Sequence, residues 1–315
     1  MTIASPAISL IFPGQGSQAV GMGMALAETY PAARAVFDEV DEAIGEKLST
    51  LIAEGPADEL TLTANTQPAL MAVSIAAFRV LEEEGLATNM VQSMAGHSLG
   101  EYAAHCAAGA LSLADTAKLL RLRGEAMQAA VPVGEGAMAA IIGLDLDKVG
   151  ALLGDTGAEL ANDNSPGQVV ISGTTAAVEA ACAAAKEAGA KRALLLPVSA
   201  PFHSSLMAPA QEKMAAALAD TKIDTPSVPI VSNVLASPIT EPDDIRRTLT
   251  EQVTGRVRWR ESVCAMTDAG TTHFIEIGAG KVLTGLVKRI AKGTTAFPVG
   301  TPDDIETYRD NVAHG

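Results

Sequence analysis

The stretch Ala95-Gly96-His97-Ser98-Leu99-Gly100-Glu101 contains the pattern Gly-x-Ser-x-Gly. A short, mostly apolar run, residues 90–94, precedes it, and the alanine-rich residues 102–110 that follow favour a helix. A strand, a sharp turn and a helix in this order place a serine hydroxyl at the tip of a strained turn, beside the backbone N–H of the next residue. The stretch therefore predicts Ser98 as a nucleophile. A plain strand-to-helix turn with Ser98 as cap is the alternative.

The composition limits the class of protein. With 315 residues, the chain is long enough for one large domain or for a domain that carries an insert. Apolar residues make up 48% and aromatic residues only 3%, so the core must consist of alanine, aliphatic residues and methionine. With 22 basic and 37 acidic residues the formal charge is −15, which argues against binding to a phosphate backbone. We expect no nucleic acid partner.

The cysteines and the first residues bear on metal binding and location. Cys106, Cys182 and Cys264 are widely spaced and form no Cys-x-x-Cys pair, so neither a disulfide framework nor a metal site is expected. The first residues show no basic segment followed by a long apolar one, and no apolar run reaches the length of a membrane span. We expect a cytoplasmic protein without membrane contact.

A second glycine-rich turn follows the apolar residues 7–12. Residues 14–19 read Gly-Gln-Gly-Ser-Gln-Ala and match the loose dinucleotide pattern G-x-G-x-x-A. The acidic residues about 20 positions on, Asp38 and Glu39, fall inside a helical pattern instead of at the end of a second strand, where ribose recognition needs them. We favour a second loop of backbone donors, in which Gln15 completes an oxyanion hole beside Ser98. A purely structural turn remains an alternative.

Two helices are predicted on either side of the serine turn. Residues 61–68 form a polar connector, followed by a core helix over residues 69–84 whose start suits Pro68. The helix over residues 117–130 carries Arg121 and Arg123, whose side chains diverge by about 200°. At most one of them faces Ser98, where it would pair a carboxylate in a bidentate fork. The residues alone do not decide which one, or whether both are surface charges.

The chain changes character near residue 131. The predicted elements are a strand at 137–144, a helix at 146–153, strands at 159–164 and 168–173, a helix at 175–189 and a strand at 191–198. This order, βαββαβ, is that of a ferredoxin-like unit. We therefore predict an α/β fold with a hydrolase-like large domain, residues 1–130 and 199–315, built on a central, mainly parallel sheet. The inserted ferredoxin-like subdomain, residues 131–198, forms the opposite wall of a cleft.

The chain returns to the large domain in a loop that contains His203. Because this histidine follows a strand end and comes after the serine in the chain, it is our candidate general base. No aspartate between Ser98 and His203 falls at a strand end, so a dyad is expected. A carbonyl of residues 252–255 is the candidate that orients the imidazole. The glycine turn at residues 278–281 lacks the G-x-x-x-x-G-K-[ST] pattern of a nucleotide P-loop and is interpreted as an ordinary turn between a strand and a helix.

Several separated segments belong together. They are Phe12-Pro13-Gly14-Gln15-Gly16-Ser17-Gln18, Gly96-His97-Ser98-Leu99-Gly100-Glu101-Tyr102, Arg121-Leu122-Arg123-Gly124, Asn164-Ser165-Pro166-Gly167-Gln168, Phe202-His203-Ser204 and Glu276-Ile277-Gly278-Ala279-Gly280-Lys281. In this order they closely resemble the malonyl-CoA:acyl carrier protein transacylases of type II fatty acid synthesis. The resemblance covers almost the whole chain and is far more specific than the serine turn alone.

The resemblance implies a ping-pong transfer. Ser98 would take the malonyl group from malonyl-CoA as an ester, and the phosphopantetheine thiol of acyl carrier protein would then remove it. No bound cofactor is implied, because the phosphopantetheine belongs to the carrier, and we expect a monomer. The roles implied for the other residues are His203 as base, the Gln252 main-chain carbonyl as its orienting group, the backbone N–H groups of Gln15 and Leu99 as oxyanion hole, Arg123 as partner of the malonyl carboxylate, and Asn164 at the cleft edge.

Three alternatives stay open. Phe202 before the histidine resembles the malonyl-selecting form of this segment in polyketide acyltransferase domains, so an extender-unit acyltransferase of a polyketide pathway is one. A serine thioesterase or hydrolase, with water as acceptor, is the second. A binding module that forms no acyl-enzyme is the third, although the pair Ser98 and His203 argues against it. For an acidic carrier protein, the expected contacts are the basic residues Lys186, Lys191 and Arg192.

Overall fold

The structure, a computed structural model, describes residues 6–86, 90–198 and 200–311. Residues 1–5, which entered the expectation about a leader peptide, lie outside these ranges, as do Ser199 at the predicted domain boundary and the last residues of the predicted large domain. Within the described ranges, no helix is both long and apolar enough to cross a membrane.

Strands and helices follow one another along the whole described chain. The strands are β1 (Ile8–Phe12), β2 (Val91–Gly96), β3 (Gly136–Ile142), β4 (Glu159–Ser165), β5 (Gln168–Thr174), β6 (Arg192–Leu195), β7 (Ile230–Val231), β8 (Pro238–Ile239), β9 (His273–Ile277) and β10 (Thr295–Val299). The helices are α1 (Met24–Thr29), α2 (Pro31–Ile44), α3 (Leu48–Glu54), α4 (Ala57–Thr61), α5 (Thr63–Glu83), α6 (Leu99–Ala107), α7 (Leu113–Ala129), α8 (Leu146–Leu153), α9 (Thr175–Glu187), α10 (Ala208–Asp220), α11 (Pro242–Glu251), α12 (Trp259–Asp268), α13 (Val282–Ile290) and α14 (Pro302–Asn311).

The larger sheet has six strands in the order β10-β9-β1-β2-β7-β8. Neighbouring strands from β10 to β7 are parallel, and β8 pairs antiparallel with β7. The predicted mainly parallel sheet is thus confirmed. Because β1 and β2 are adjacent and parallel, their carboxyl ends meet at one edge of the sheet. The turn at residues 14–16 and the turn at Ser98 therefore lie side by side, where open α/β sheets bind ligands.

The apolar core covers both faces of the larger sheet. On one face, α5 and α6 pack over Leu10, Met94 and Ile275, and α7 packs in turn on α5 and α6. On the other, α12 and α13 pack around Trp259 and Phe274. Covering of both faces is typical of parallel sheets and leaves the carboxyl edge as the exposed place for a site.

The smaller sheet has four strands in the order β4-β5-β3-β6, and every neighbouring pair is antiparallel. With α8 after β3 and α9 after β5, the chain order is the predicted βαββαβ. The helices and the sheet enclose a separate core that includes Ile141, Val149 and Val178. These elements lie within the predicted subdomain, although its limits at residues 131 and 198 stay a prediction.

Helix α5 starts earlier than expected, at Thr63, inside the segment predicted as a polar connector. Pro68 therefore lies within the helix, where it removes a backbone hydrogen bond. Close packing against α7 explains the difference: a Cβ on Gly124 would lie 2.6 Å from Ala64 Cα, so only glycine allows this approach. The packed first turns stay helical and carry Gln67 towards the site.

Candidate active site

Ser98 lies in a turn so tight that it requires both glycines of the motif. A Cβ on Gly96 would lie 1.9 Å from the Gly100 carbonyl, and a Cβ on Gly100 would lie 2.3 Å from Phe12 O. Ser98 itself adopts φ 54° and ψ −112°, a conformation that residues with a side chain rarely adopt. Its side chain does not cap α6, so the alternative of a plain capped turn is wrong.

Asn233, just after β7, holds this turn in place. Its Oδ1 accepts the Ser98 N–H at 2.7 Å, and its Nδ2 donates to Gly96 O at 2.7 Å. The side chain is fully buried. Sequence reasoning missed Asn233, because its only signal is its place after a short strand whose neighbour in the sheet is not evident from the chain.

His203 contacts Ser98 directly. Its Nε2 lies 2.8 Å from Ser98 Oγ. Its Nδ1 lies 3.0 Å from Gln252 O and 3.1 Å from Gly255 O. Carbonyl oxygens only accept, so Nδ1 carries the proton and the Nε2 lone pair faces Ser98. The two carbonyls belong to the loop over residues 252–255 that the sequence singled out.

The environment of His203 keeps the ring neutral until it takes a proton. Burial and, second, the positive charge of Arg123 lower the pKa of His203 to about 3. Gln252 caps the carboxyl end of α11, where the last carbonyls lack an intrahelical donor and carry partial negative charge. This helix end occupies the place that a carboxylate has in a triad, and it would stabilise an imidazolium formed during reaction.

The two candidate arginines point to different places. Arg121 pairs with Glu46 at 2.9 Å and also donates to Asn65, away from Ser98. Arg123 is only 1% exposed, and its Nη2 donates to Ser98 Oγ at 3.1 Å. Burial lowers the pKa of Arg123, yet a guanidinium keeps its proton in proteins. The structure thus brings Arg123, and not Arg121, to Ser98.

Two glutamines hold the Arg123 guanidinium. Its Nη1 donates to Gln67 Oε1 at 2.7 Å, and its Nη2 donates to Gln252 Oε1 at 2.9 Å. Among the described residues, no carboxylate forms an ion pair with Arg123. Sequence reasoning missed both amide side chains, Gln67 because it was assigned to a connector and Gln252 because only its main chain was considered.

Backbone donors of two turns lie near Ser98. Leu99 is the first residue of α6, so its N–H has no acceptor within the helix. Gly14 packs against the serine turn so closely that a Cβ would lie 2.6 Å from His97 O, and Gln15 follows it in the cavity wall. Asp38 and Glu39 lie in α2 and not at a strand end, as expected from the argument against a dinucleotide site.

Asn164 approaches from the smaller sheet. It lies in β4, and its Oδ1 is 2.8 Å from His97 Nε2. The His97 ring in turn lies 5.6 Å from the Trp259 ring, centroid to centroid. Asn164 therefore joins the two sheets beside Ser98 through His97, a contact that sequence reasoning did not predict.

A cavity of about 310 Å³ joins these groups. Ser98, Arg123 and His203 line it from the larger sheet, and Met138, Asn164 and Val170 line it from the smaller one. Six of the seven site residues of the sequence prediction thus line one cleft. The seventh, Gln252, lies behind Arg123 and His203 and contacts both. Within the described ranges, no group of three or more His, Cys, Asp or Glu side chains is arranged to hold a metal ion.

Comparison with known proteins gives the family. The chain matches the acyl transferase domain family over residues 9–304. It is 51% identical over 304 residues to the malonyl CoA-acyl carrier protein transacylase of Bacillus subtilis strain 168, covering 95% of both chains. The acyl-carrier-protein-S-malonyltransferase structure from Bartonella henselae is 54% identical, with TM-score 0.95 over 98% of this chain and 99% of that one. A complex of a type II PKS acyl-carrier protein with its malonyl-transacylase matches at 42% identity, with TM-score 0.94 over 97% of this chain and 99% of that one. The chain therefore belongs to the acyl transferase domain family.

Proposed function

We propose that the protein is a malonyl-CoA:acyl carrier protein transacylase, which moves a malonyl group to the carrier's phosphopantetheine thiol through an ester on Ser98. One observation carries the proposal: Ser98 Oγ lies 2.8 Å from His203 Nε2 and 3.1 Å from Arg123 Nη2. An esterase needs the base but not the buried cation. A nucleophile beside both suits an acyl group that ends in a carboxylate.

In the first half-reaction, the Ser98 hydroxyl attacks the thioester carbonyl of malonyl-CoA and its proton passes to His203 Nε2. The N–H groups of Gln15 and Leu99 bind the oxyanion of the tetrahedral intermediate. When the carbon–sulfur bond breaks, the proton on Nε2 goes to the leaving thiolate, which departs as coenzyme A. The malonyl ester stays on Ser98.

The second half-reaction uses the same groups in reverse. The carrier's phosphopantetheine thiol gives its proton to His203 and attacks the ester carbonyl. The Ser98 oxygen leaves and takes the proton back from Nε2. Both acyl carriers are substrates, so the proposal needs no bound cofactor.

Arg123 would select the acyl group. A malonyl carboxylate can accept hydrogen bonds from the guanidinium, and an acetyl group cannot. From the usual strength of charged hydrogen bonds, the pair contributes ~1.5 to 3 kcal/mol to binding of the malonyl transition state. Asn164, at the cleft edge, is proposed to lie near the bound thioester.

The relatives support the carrier as partner. The Bacillus subtilis relative is named as acting with acyl carrier protein, and the type II PKS complex pairs a malonyl-transacylase with its carrier. The latter also favours a polyketide pathway as second candidate. Lys186, Lys191 and Arg192 are exposed and are proposed to meet the acidic carrier. A monomer in the cytoplasm stays a prediction.

The test is intact mass of the protein after brief incubation with malonyl-CoA or, separately, acetyl-CoA, with Ser98→Ala as control. We expect a malonyl adduct in the wild type and none in the variant. Carrier proteins of fatty acid and polyketide origin, each carrying phosphopantetheine, are then added. Removal of the adduct as malonyl-carrier supports the transacylase, and the preferred carrier indicates the pathway.

The other outcomes separate the alternatives. An adduct that water removes at the same rate with or without carrier would favour a hydrolase. A protein that forms no adduct with either thioester would contradict the proposal and favour a binding module.

A further inference from the structure

Glu101 is a buried carboxylate that the proposed mechanism does not use. It is 0% exposed and lies in the first turn of α6, three residues after Ser98. Its Oε2 accepts from Gln252 Nε2 at 2.6 Å and from Asn233 N at 3.1 Å. Burial raises the pKa of Glu101 to about 7, and these hydrogen bonds offset only part of the cost.

Residues Ser98 to Glu101 match the pattern of a capping box, in which serine and glutamate side chains bind the free N–H groups of the helix start. Neither side chain does so here. Ser98 Oγ contacts His203 and Arg123, and Asn233 Oδ1 accepts the Ser98 N–H that the glutamate of a capping box would accept. Glu101 is thereby released from capping and turned to Gln252.

The Gln252 amide has two possible orientations, and its neighbours decide between them. Its Nε2 donates to Glu101 Oε2 and to Ser98 O, while its Oε1 accepts from Arg123 Nη2. A reversed amide would set its N–H₂ against the Arg123 donors and its oxygen against the Glu101 carboxyl group. The two acceptors, Glu101 Oε2 at 2.6 Å and Ser98 O at 3.0 Å, therefore keep the amide oxygen towards Arg123, and Glu101 supplies the shorter bond.

We propose that Glu101 is a positioning residue: its carboxyl oxygen fixes the Gln252 amide, which in turn orients the Arg123 guanidinium that prefers a malonyl over an acetyl group. This inference rests on the proposed function. It explains why Arg123 has an amide, and not a carboxylate, as its neighbour at Nη2. A direct ion pair would occupy the N–H donors that the substrate carboxylate needs. A carboxylate that acts through the Gln252 amide instead holds the guanidinium in place and leaves it able to bind the substrate carboxylate.

Two variants separate the acceptor from the charge. Glu101→Gln deletes the charge but keeps an oxygen that can accept from Gln252 Nε2. Glu101→Asp keeps the charge but is one methylene shorter, so the acceptor is withdrawn from Gln252. Glu276→Gln is the matched control, because Glu276 is also 0% exposed and lies outside the cavity wall. For each protein, kcat and KM are measured with malonyl-CoA and with acetyl-CoA.

We expect Glu101→Asp to lower the malonyl-to-acetyl ratio of kcat/KM by about five- to tenfold, chiefly through KM for malonyl-CoA, as for the loss of one hydrogen bond of ordinary strength. Glu101→Gln and Glu276→Gln should keep the ratio within about twofold of the wild type. If Glu101 had a purely structural role, its substitution would instead lower kcat/KM for both substrates in parallel.

Three results would overturn the inference. The first is an unchanged ratio in folded Glu101→Asp. The second is a malonyl-to-acetyl ratio of kcat/KM that falls in Glu101→Gln as far as is expected for Glu101→Asp. This second result suffices as a test if Glu101→Asp does not fold. The third is a wild type that forms no malonyl ester, which would overturn the proposed function as well and is thus distinguishable from the other two.

Discussion

Two connections of the larger sheet, β9 to α13 and β2 to α6, both lead from a strand through a glycine-containing turn into a helix, but they differ in how the start of the helix is hydrogen-bonded. After β9, the Glu276 carboxylate accepts the backbone N–H groups of Leu283 at 3.0 Å and Thr284 at 2.7 Å, so it closes the start of α13. After β2, the Ser98 side chain does not cap α6, and the Ser98 N–H is accepted by Asn233 from a distant part of the chain. In the first connection, a residue of the preceding strand accepts the free N–H groups of the helix. In the second, the Leu99 N–H at the start of the helix stays available.

The difference shows how a common turn becomes a site. Opening the helix start leaves polar groups that must find partners elsewhere. Here Asn233 takes over the Ser98 N–H, and the base and the arginine meet at Ser98 Oγ. The strained φ of 54° at Ser98 is maintained by these neighbours, which come from distant parts of the chain.

The largest expected effect comes from removing the base at the open connection. His203→Ala should lower malonyl transfer by ~10²- to 10⁴-fold, because the proton of Ser98 then has no acceptor although the backbone donors remain. Single-turnover formation of the malonyl ester measures it, with circular dichroism to check the fold. Rapid ester formation in the variant would show that an open helix start and Arg123 suffice without a base.

Arg123 is the residue that we propose to make the open connection selective for a carboxylate. Arg123→Ala should weaken binding of the malonyl transition state by ~1.5 to 3 kcal/mol and lower kcat/KM for malonyl-CoA accordingly. The kcat/KM for acetyl-CoA should stay the same or rise. The measurement is kcat/KM for both thioesters. Arg121→Ala is the matched control, because Arg121 lies two residues away and pairs with Glu46, so it should keep the preference. A parallel loss of both substrates in Arg123→Ala would contradict the assignment.

The sequence predicted what depends on neighbours along the chain. The serine turn and the βαββαβ unit are read from local spacing, and the structure has both. Helix periodicity predicted that the side chains of Arg121 and Arg123 point in different directions. Which of them faces Ser98 depends on where α7 packs. The residues themselves left that choice open until family resemblance was added.

The missed residues depend on long-range packing. Gln67 reaches Arg123 only because Gly124 lets α7 lie against the first turns of α5, across about sixty residues of sequence, which overrides the signal of Pro68. Asn233 reaches Ser98 only because β7, a strand of two residues, pairs with β2. Neither contact has a periodic signal in the sequence.

The closed connection should matter for stability and not for selectivity. Glu276→Ala leaves the N–H groups of Leu283 and Thr284 without their acceptor and should lower the free energy of unfolding by ~1 to 3 kcal/mol. Urea denaturation measures this change. The malonyl-to-acetyl ratio, measured in the folded variant, should equal that of the wild type. A changed ratio would mean that the two connections are coupled and that their contrast is false.

The far end of α6 supplies the smallest effect, a dependence of stability on pH. His105 is fully buried, and burial lowers its pKa from 6.5 to about 3. Between these values the unfolded chain binds a proton at this residue and the folded chain does not. Stability from the neutral ring is therefore complete well above pH 6.5 and falls as the pH falls through 6.5 towards 3, with a slope that approaches ~1.4 kcal/mol per pH unit.

His105→Leu removes this proton while His203 contributes equally in both proteins. The difference in free energy of unfolding between variant and wild type should thus shift in favour of the variant by ~1 kcal/mol between pH 6.5 and pH 5.5. Urea denaturation at the two pH values measures it. An equal pH response in both proteins would show that protonation of His105 does not carry the pH dependence of stability.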